Sequence, residues 1–202
     1  MAVPILSLAQ SQYARRVHEF LDASGLKLSL MHLYRRDIPA EADNLRRDGK
    51  THPNGVSFDV FRAADLAPEK YPHSGFEALD PTDHVLFARA DDEVVGWTFL
   101  THGKPAYVQP VETTLRFRGL YIWNLWVDPE YRQGGIASAL INEGLRFGRS
   151  ALDAERAFAI VSVLNGPSKS VFEGRDFDPV RKAVYCRVAD TEWRSSLLRS
   201  SA

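Results

Sequence analysis

Between residues 121 and 140 the chain reads YIWNLWVDPEYRQGGIASAL, and Arg132-Gln133-Gly134-Gly135 is the stretch whose residue types bear most directly on chemistry. An apolar, aromatic run ends at Asp128-Pro129, and Ile136 opens a run with helical spacing. A strand that enters a glycine turn and then a helix exposes several backbone N–H groups beside the positive end of the helix dipole. Gly134 and Gly135 have no Cβ to hold a ligand away. Arg132 adds a charged fork that suits phosphate oxygens. Together these parts make a pyrophosphate cradle, and a plain structural turn is the competing reading. Two other phosphate-binding patterns are excluded: no GxxxxGK[ST] string occurs, and the adjacent glycines of GGIASA do not make GxGxxG.

The elements that must position this turn follow from periodicity. FRGLYIWNLWV is rich in β-branched and aromatic residues and predicts a long strand before it. After it, Ile136, Leu140 and Phe147 share a helical stripe that Ala139 and Leu145 widen, with Gly144 and Gly148 weakening the helix without forbidding it. AFAIVSVLN at 157–165 suits a buried, parallel strand. A short helix over 166–173 has Asn165 as its expected N-cap, Pro167 in its first turn and Gly174 as its stop. AVYCRVA closes the sheet, and 191–200 is expected as a terminal helix.

Upstream, VSFDVFR, HVLFARA and VVGWTFLT read as strands, with DDE at 91–93 as a hairpin tip. The segment between the first two of these is too rich in Pro and Gly for one long helix, and 105–116 reads as a connection or strand end. Residues 5–23 place Leu8, Val17, Phe20 and Leu21 on one side of a helix. A second helical stretch is expected between 27 and 48, interrupted near Ile38-Pro39 because proline disfavours helix in the residue before it. DGKTHPNG at 48–55 is a loop by composition. Strand, helix, strand, helix, strand in the second half means an α/β or α+β protein with a mixed sheet.

The chain has 202 residues, 45% of them hydrophobic and 25% charged, ordinary values for one soluble domain with an appendage. A net charge of −1 argues against a general nucleic-acid binder. No stretch approaches the ~18 apolar residues of a membrane span, and the N-terminus lacks the apolar core and cleavage site of a signal peptide. With Cys186 as its one cysteine the chain cannot form an internal disulfide, so a reducing, cytoplasmic setting fits best. Cys186 is a weak nucleophile candidate beside the plainer reading of a residue packed in a strand.

VDPEYRQGGIASALI resembles the signature of the GCN5-related N-acetyltransferases (GNAT), [RQ]-x-x-G-x-[GA], matched here by Arg132-Gln133-Gly134-Gly135-Ile136-Ala137. About thirty residues later that family carries a strand ending in Asn and a helix of the form N-x-x-[AS]-x-x-x-[YF]-x-x-x-[GD]-F. This chain offers Asn165, Ser168, Phe172 and Asp176-Phe177. The resemblance is clear over 84–188, extends back to 56, and is absent from the first 50 residues or so. It implies a GNAT-like mixed, twisted central sheet flanked by helices, with acetyl-CoA as acyl donor and no metal. The domain at 56–202 would be the acetyl-CoA-binding acyltransferase domain, and 1–55 an N-terminal helical extension packed on it. Two strands would splay apart to admit the pantetheine arm. The amides from Gln133 to Ala137 would hold the pyrophosphate, Leu125 and Val127 would offer main-chain groups to the pantetheine and thioester, and Asn165 would contact the pantetheine with its side chain, with Ser168 and Phe172 as further cofactor-binding residues on the second helix. The C-terminal strand pattern is one strand short of the family complement, which leaves room for a swapped or borrowed strand, and a homodimer is one way to supply it.

Acyl transfer to an amine needs an uncharged amine, a stabilised oxyanion and a proton for the departing thiolate. Many relatives place a tyrosine proton donor where this chain has Phe172, whose ring has no proton to give. Tyr121 and Trp123 share a strand face, at positions where some relatives carry a base. Tyr121 and Tyr185 are therefore the catalytic candidates, each with sheet packing as the plainer reading. His84 and His102 have no partner that the sequence identifies. Residues 56–93 hold nine acids and three bases, a net −6. That segment would border the acceptor side, where an acidic rim would favour a cationic amine; a solvated surface explains the charges as well. Three functions stand: transfer of an acetyl group to a primary amine on a small molecule or polypeptide, a non-catalytic acyl-CoA-binding or regulatory module, and a structural protein whose turn binds nothing.

Overall fold

The computed structural model describes residues 26–40, 53, 55–67 and 75–195. The expected helix over 5–23, most of the 48–55 loop and the chain after 195 lie outside the described residues. Ten strands and two α-helices make up the described part: β1 (Leu26–Asp37), β2 (Val56–Arg62), β3 (His84–Ala90), β4 (Glu93–Thr101), β5 (Pro105–Val108), β6 (Thr113–Arg116), β7 (Leu120–Val127), α1 (Ile136–Leu152), β8 (Arg156–Ser162), α2 (Gly166–Glu173), β9 (Asp178–Val188) and β10 (Thr191–Arg194). Eight of the strands form one mixed sheet in the order β10-β9-β1-β8-β7-β4-β3-β2, and β5 and β6 form a separate hairpin. Neither helix is long and apolar enough to cross a membrane.

The largest departure from expectation is β1. Residues 26–37 are a strand, not the first part of a helix, and they lie inside the sheet, antiparallel to both β8 and β9. The alternation of Leu26, Leu28 and Leu30 with Lys27 and Ser29 is strand-like, and the overlap with helical spacing further on hides it. β1 thus fills the place in the sheet that the C-terminal pattern leaves open, and the chain supplies that strand itself. Residues 1–55 are therefore not a purely helical extension, since part of them is sheet core.

The C-terminus also differs. AVYCRVA does not close the sheet, because Ala189 adopts a positive φ of 48° and turns the chain into β10, which pairs back on β9 as the edge strand. The 105–116 connection folds into the β5–β6 hairpin. The expected strands at 56–62, 84–90 and 93–101 form an antiparallel meander, with Asp91 and Asp92 at positive φ in its tight turn.

Each face of the sheet has its own cover. α1 and α2 pack Ile136, Leu140, Ile141, Leu145 and Phe172 against Leu86, Leu100, Leu120, Ile122 and Tyr34. On the opposite face the hairpin brings Ala106, Val108, Val111 and Leu115 onto Met31, Tyr121, Ala183 and Tyr185. Beside it Phe76, in the turn at 75–79, packs on Val85, Phe87 and Phe99. α1 can approach closely because Gly96 on β4 and Gly144 and Gly148 on the helix lack side chains where Leu140, Leu100 and Leu120 arrive.

Candidate active site

β7 and β8 are the parallel neighbours of the sheet, and their pairing is brief. Leu120 faces Ala157 and Tyr121 faces Phe158, after which the two strands share no further ladder. β7 continues along β4, and β8 continues along β1. The result is a wedge between them that opens toward the glycine turn. Ile122 to Val127 keep their β4 neighbours while their other edge lacks a strand partner. Four consecutive residues there, Trp123 to Trp126, are half-buried although they lie in the middle of the sheet.

A bulge shapes this edge. The β4 register slips between Trp97 and Phe99, and Asn124 takes a positive φ of 49°. The inserted residue shifts the alternation, so Leu120 and Ile122 before it and Leu125 and Val127 after it all face the helix-side core. Thr98, buried opposite, donates from Oγ1 to the Trp123 carbonyl at 3.0 Å and steadies the irregular backbone. Gly75 brings the 75–79 turn against the Asn124 side chain, where a Cβ would stand 3.1 Å from Nδ2.

At the mouth of the wedge the chain leaves β7 through a short turn at 129–131 capped by Asp128, which accepts from Glu130 N at 2.9 Å. Gln133 and Gly135 both take positive φ, 66° and 84°. The first helical hydrogen bond of α1 runs from Ala139 N to Gly135 O at 3.0 Å, so the amides of Gln133 to Ser138 have no acceptor among the described residues. A Cβ built on Gly135 would meet nothing within 4 Å. This is an open nest of amide donors at the positive end of a 17-residue helix, the arrangement that suits a phosphate.

The sequence-predicted residues fall into two groups. Leu125, Val127, Arg132, Gln133, Gly134, Gly135, Ile136 and Ala137 are brought together along the wedge and its mouth, and Asn165 and Ser168 start α2 at the C-terminal end of β8. Arg132 does not stand free in the cradle: its Nε donates to the Val127 carbonyl at 3.0 Å, tying the turn to the end of β7. Asn165 caps α2 by accepting from Ser168 N at 3.1 Å, as its position predicts. Phe172 belongs to the second group. It is buried in the helix-side core, 5.1 Å between centroids from Phe177 and 6.3 Å from Tyr34. The neighbouring Tyr34 hydroxyl does not replace the missing one, because it donates to Glu173 Oε1 at 2.7 Å. Burial, reinforced by that carboxylate, pushes it up to about 12.

The two tyrosines proposed from the sequence part company. Tyr121 sits where β7 and β8 separate, buried between Phe117 at 4.2 Å and Trp123 at 6.3 Å. Burial pushes its hydroxyl well above the usual tyrosine range, so it stays protonated at neutral pH and is a poor base. Tyr185 lies on β9, two strands beyond β8 and so on the order of 10 Å from the wedge. Its hydroxyl donates to Glu112 Oε2 at 2.5 Å, and Arg194 stacks over its ring at 5.0 Å. His84 packs on Phe147 of α1, and Cys186 faces Leu28 and Trp193 across the sheet. Of the acids between 56 and 93, Asp80 and Asp83 are both held by Lys104 at 2.6 and 2.9 Å, Asp59 pairs with Arg89 at 3.6 Å, and Asp91 and Asp92 form the hairpin tip. Glu77 is exposed in the 75–79 turn that lies against Asn124.

A network that sequence reasoning missed centres on Glu112, the αL residue that ends the turn between β5 and β6. It accepts from Lys27 at 2.7 Å, Tyr185 at 2.5 Å and Arg187 at 2.8 Å, and so fastens the hairpin to β1 and β9. These partners lie 85, 73 and 75 residues away, which no local pattern reveals. The Lys27 hydrogen bond, with Tyr185 next, holds the Glu112 carboxyl below its usual value of 4.5. A depressed carboxyl contributes stability above its unfolded pKa, and that contribution is lost as pH falls through the folded one. Thermal melts should therefore show the wild type losing stability more steeply than Glu112→Gln as pH falls below 4.5. Parallel curves would show that the carboxylate does not fasten the hairpin.

A model of the Acetyltransferase (GNAT) family matches residues 53–177. That is more than half of the chain, and the chain belongs to this family. Solved structures share the fold. A Drosophila protein aligns over 89% of this chain and 59% of its own, at 13% identity and a TM-score of 0.53. A GCN5-related N-acetyltransferase from Kribbella flavida aligns over 86% and 63%, at 11% identity and a TM-score of 0.53. A GCN5-related N-acetyltransferase-like protein from Streptococcus suis aligns over 87% and 67%, at 11% identity and a TM-score of 0.54. The chain thus spans only about six tenths of the first two, and at such identities the likeness establishes the fold alone. Comparison with curated protein sequences gives no match.

Proposed function

We propose that the protein is an acetyl-CoA-dependent N-acetyltransferase that moves the acetyl group to a primary amine by direct attack on the thioester. The observation that carries this reading is the row of unmet amides from Gln133 to Ser138 at the mouth of the β7–β8 wedge. Those amides bind the pyrophosphate, with Gly135 leaving room for it and Arg132 bracing the turn. Main-chain groups of Leu125 and Val127 on the unpaired edge of β7 hold the pantetheine arm and the thioester carbonyl. Asn165 keeps its Nδ2 as a donor toward the same arm, since its Oδ1 is occupied by the cap.

In the transfer, the amine nitrogen bonds to the carbonyl carbon as the C–S bond breaks, the nitrogen releases a proton and the thiolate takes one up. A backbone amide near Val127 stabilises the developing oxyanion. Phe172 supplies no proton, the Tyr185 hydroxyl is engaged by Glu112, and Tyr121 is buried at the closed end of the wedge with its hydroxyl held protonated, which leaves water to protonate the thiolate. The protein works in the cytoplasm in this reading.

The buried Phe172 favours one alternative, a non-catalytic acyl-CoA-binding module. Calorimetric titration with acetyl-CoA, a thermal shift and thiol release over a panel of primary amines separate the readings. At an acetyl-CoA concentration 100 times Kd, binding to the folded state alone adds about 2.7 kcal/mol of stability. Binding with turnover of at least one amine is the expected result. Binding without turnover of any amine would support the module, and no stabilisation by millimolar acetyl-CoA would leave only a structural protein.

A further inference from the structure

The face of the sheet opposite the helices carries a connected band of rings beside the wedge. Tyr121 lies parallel to Trp123 at 6.3 Å, and Trp123 meets Phe99 edge-on at 4.9 Å. Phe76 joins Phe99 at 4.8 Å to Trp97 at 5.8 Å, and Trp97 stacks on Trp126 at 4.0 Å with 18° between planes. Tyr121, Phe99 and Phe76 are buried and need no explanation beyond packing. Trp97, Trp123 and Trp126 are only half-buried, so each keeps some accessible surface, with the Trp97 Nε1 itself buried.

Their placement makes that surface informative. Trp126 follows Leu125 on the part of β7 that β8 no longer covers, Trp97 is its cross-strand partner on β4, and Trp123 stands on the other side of the Asn124 bulge. The three indoles thus surround the point where the bulge turns the β7 backbone toward the wedge. They are also held in place. Trp123 Nε1 donates to Thr101 Oγ1 at 3.0 Å, and the paired rings of Trp97 and Trp126 fix each other's planes. Rigid, partly accessible indoles make a platform for a flat, apolar group.

We propose that Trp97, Trp123 and Trp126 form the acceptor subsite and that the acceptor is an aralkylamine, a primary amine joined to an aromatic ring by a short linker. A ring seated on the platform must place its nitrogen about one strand spacing away, roughly 5 Å, to reach the wedge. A two-carbon linker spans that distance. The inference rests on the acetyl-transfer reading and assigns its substrate class.

The test compares 2-phenylethylamine and tryptamine with hexylamine and spermidine, using saturating acetyl-CoA and the full chain. The aralkylamines should exceed the linear amines in kcat/KM by about tenfold, the worth of one well-stacked ring. In Trp126→Leu, which keeps bulk but loses the flat face, that ratio should collapse toward one, mainly through KM. Trp97→Leu serves the same purpose if the first variant fails to fold. Linear amines equal to or better than aralkylamines in the wild type would overturn the proposal, as would a ratio unchanged by either substitution. If acetyl-CoA binds but no amine is turned over, the catalytic reading fails separately. Calorimetry of tryptamine against the acetyl-CoA-loaded protein then decides the subsite: binding that Trp126→Leu weakens supports it, and no binding overturns it.

Discussion

Gly119→Ala will lower the melting temperature by at least about 6 °C, the equivalent of roughly 3 kcal/mol in a chain of this size. Gly119 immediately precedes β7, where the strand comes alongside β8, and a Cβ there would stand 2.3 Å from the Arg156 carbonyl oxygen and 3.0 Å from its carbon. Both are backbone atoms, so no side-chain rotation relieves the clash. The strands must separate at the place where their two pairs, Leu120 with Ala157 and Tyr121 with Phe158, hold the closed end of the wedge. Overpacking usually costs about 1–3 kcal/mol, and an immovable backbone obstacle puts this site at or beyond the upper end. Gly103→Ala is the control, because Gly103 also has positive φ but nothing within 4 Å of its Cβ position. It should show only backbone strain, about 1–2 kcal/mol. Equal losses from the two substitutions, measured by calorimetry, would mean that the close approach of β7 to Arg156 is not what makes glycine necessary.

Gly135→Asp will weaken acetyl-CoA binding about 100-fold while leaving the fold in place. Aspartate tolerates the left-handed conformation better than most residues, and the Cβ position is open, so the folding cost is small. The carboxylate, however, projects into the amide nest where the pyrophosphate is proposed to sit. Two unit charges about 5 Å apart at an effective dielectric near 20 repel by about 3 kcal/mol, which corresponds to the stated loss in affinity. Gly135→Asn has the same shape without the charge and should bind far more tightly than the aspartate variant. Calorimetric titration of the two variants makes the comparison, and wild-type affinity in Gly135→Asp would remove the nest as the phosphate site.

Legibility in the sequence followed the range of the interactions. The strand, glycine turn and helix from 120 to 152 read correctly because each signal lies within a few residues: an aromatic run, two adjacent glycines and a stripe of apolar residues. Asn165 as a helix cap was legible for the same reason, since its partner is three residues away. β1 was not legible, because its partners are residues 156–162 and 178–188, well over a hundred positions distant, and a half-alternating apolar segment satisfies either period locally. The terminal helix expected from 191 failed similarly, since β10 exists as a strand through its pairing with β9.

Sequence alone determined the family signature, the mixed sheet and the location of the glycine cradle, because these depend on backbone freedom and short-range spacing. Only the tertiary structure decided how the cradle is equipped. It turned Arg132 back onto Val127, buried Phe172 in the core, engaged Tyr185 with Glu112 and set Trp97 flat against Trp126. Each of those outcomes depends on which strands become neighbours and in which register, and on the bulge at Asn124 that reverses the alternation of β7. A side chain's face and partner are properties of the assembled sheet, and residue type and local spacing do not contain them.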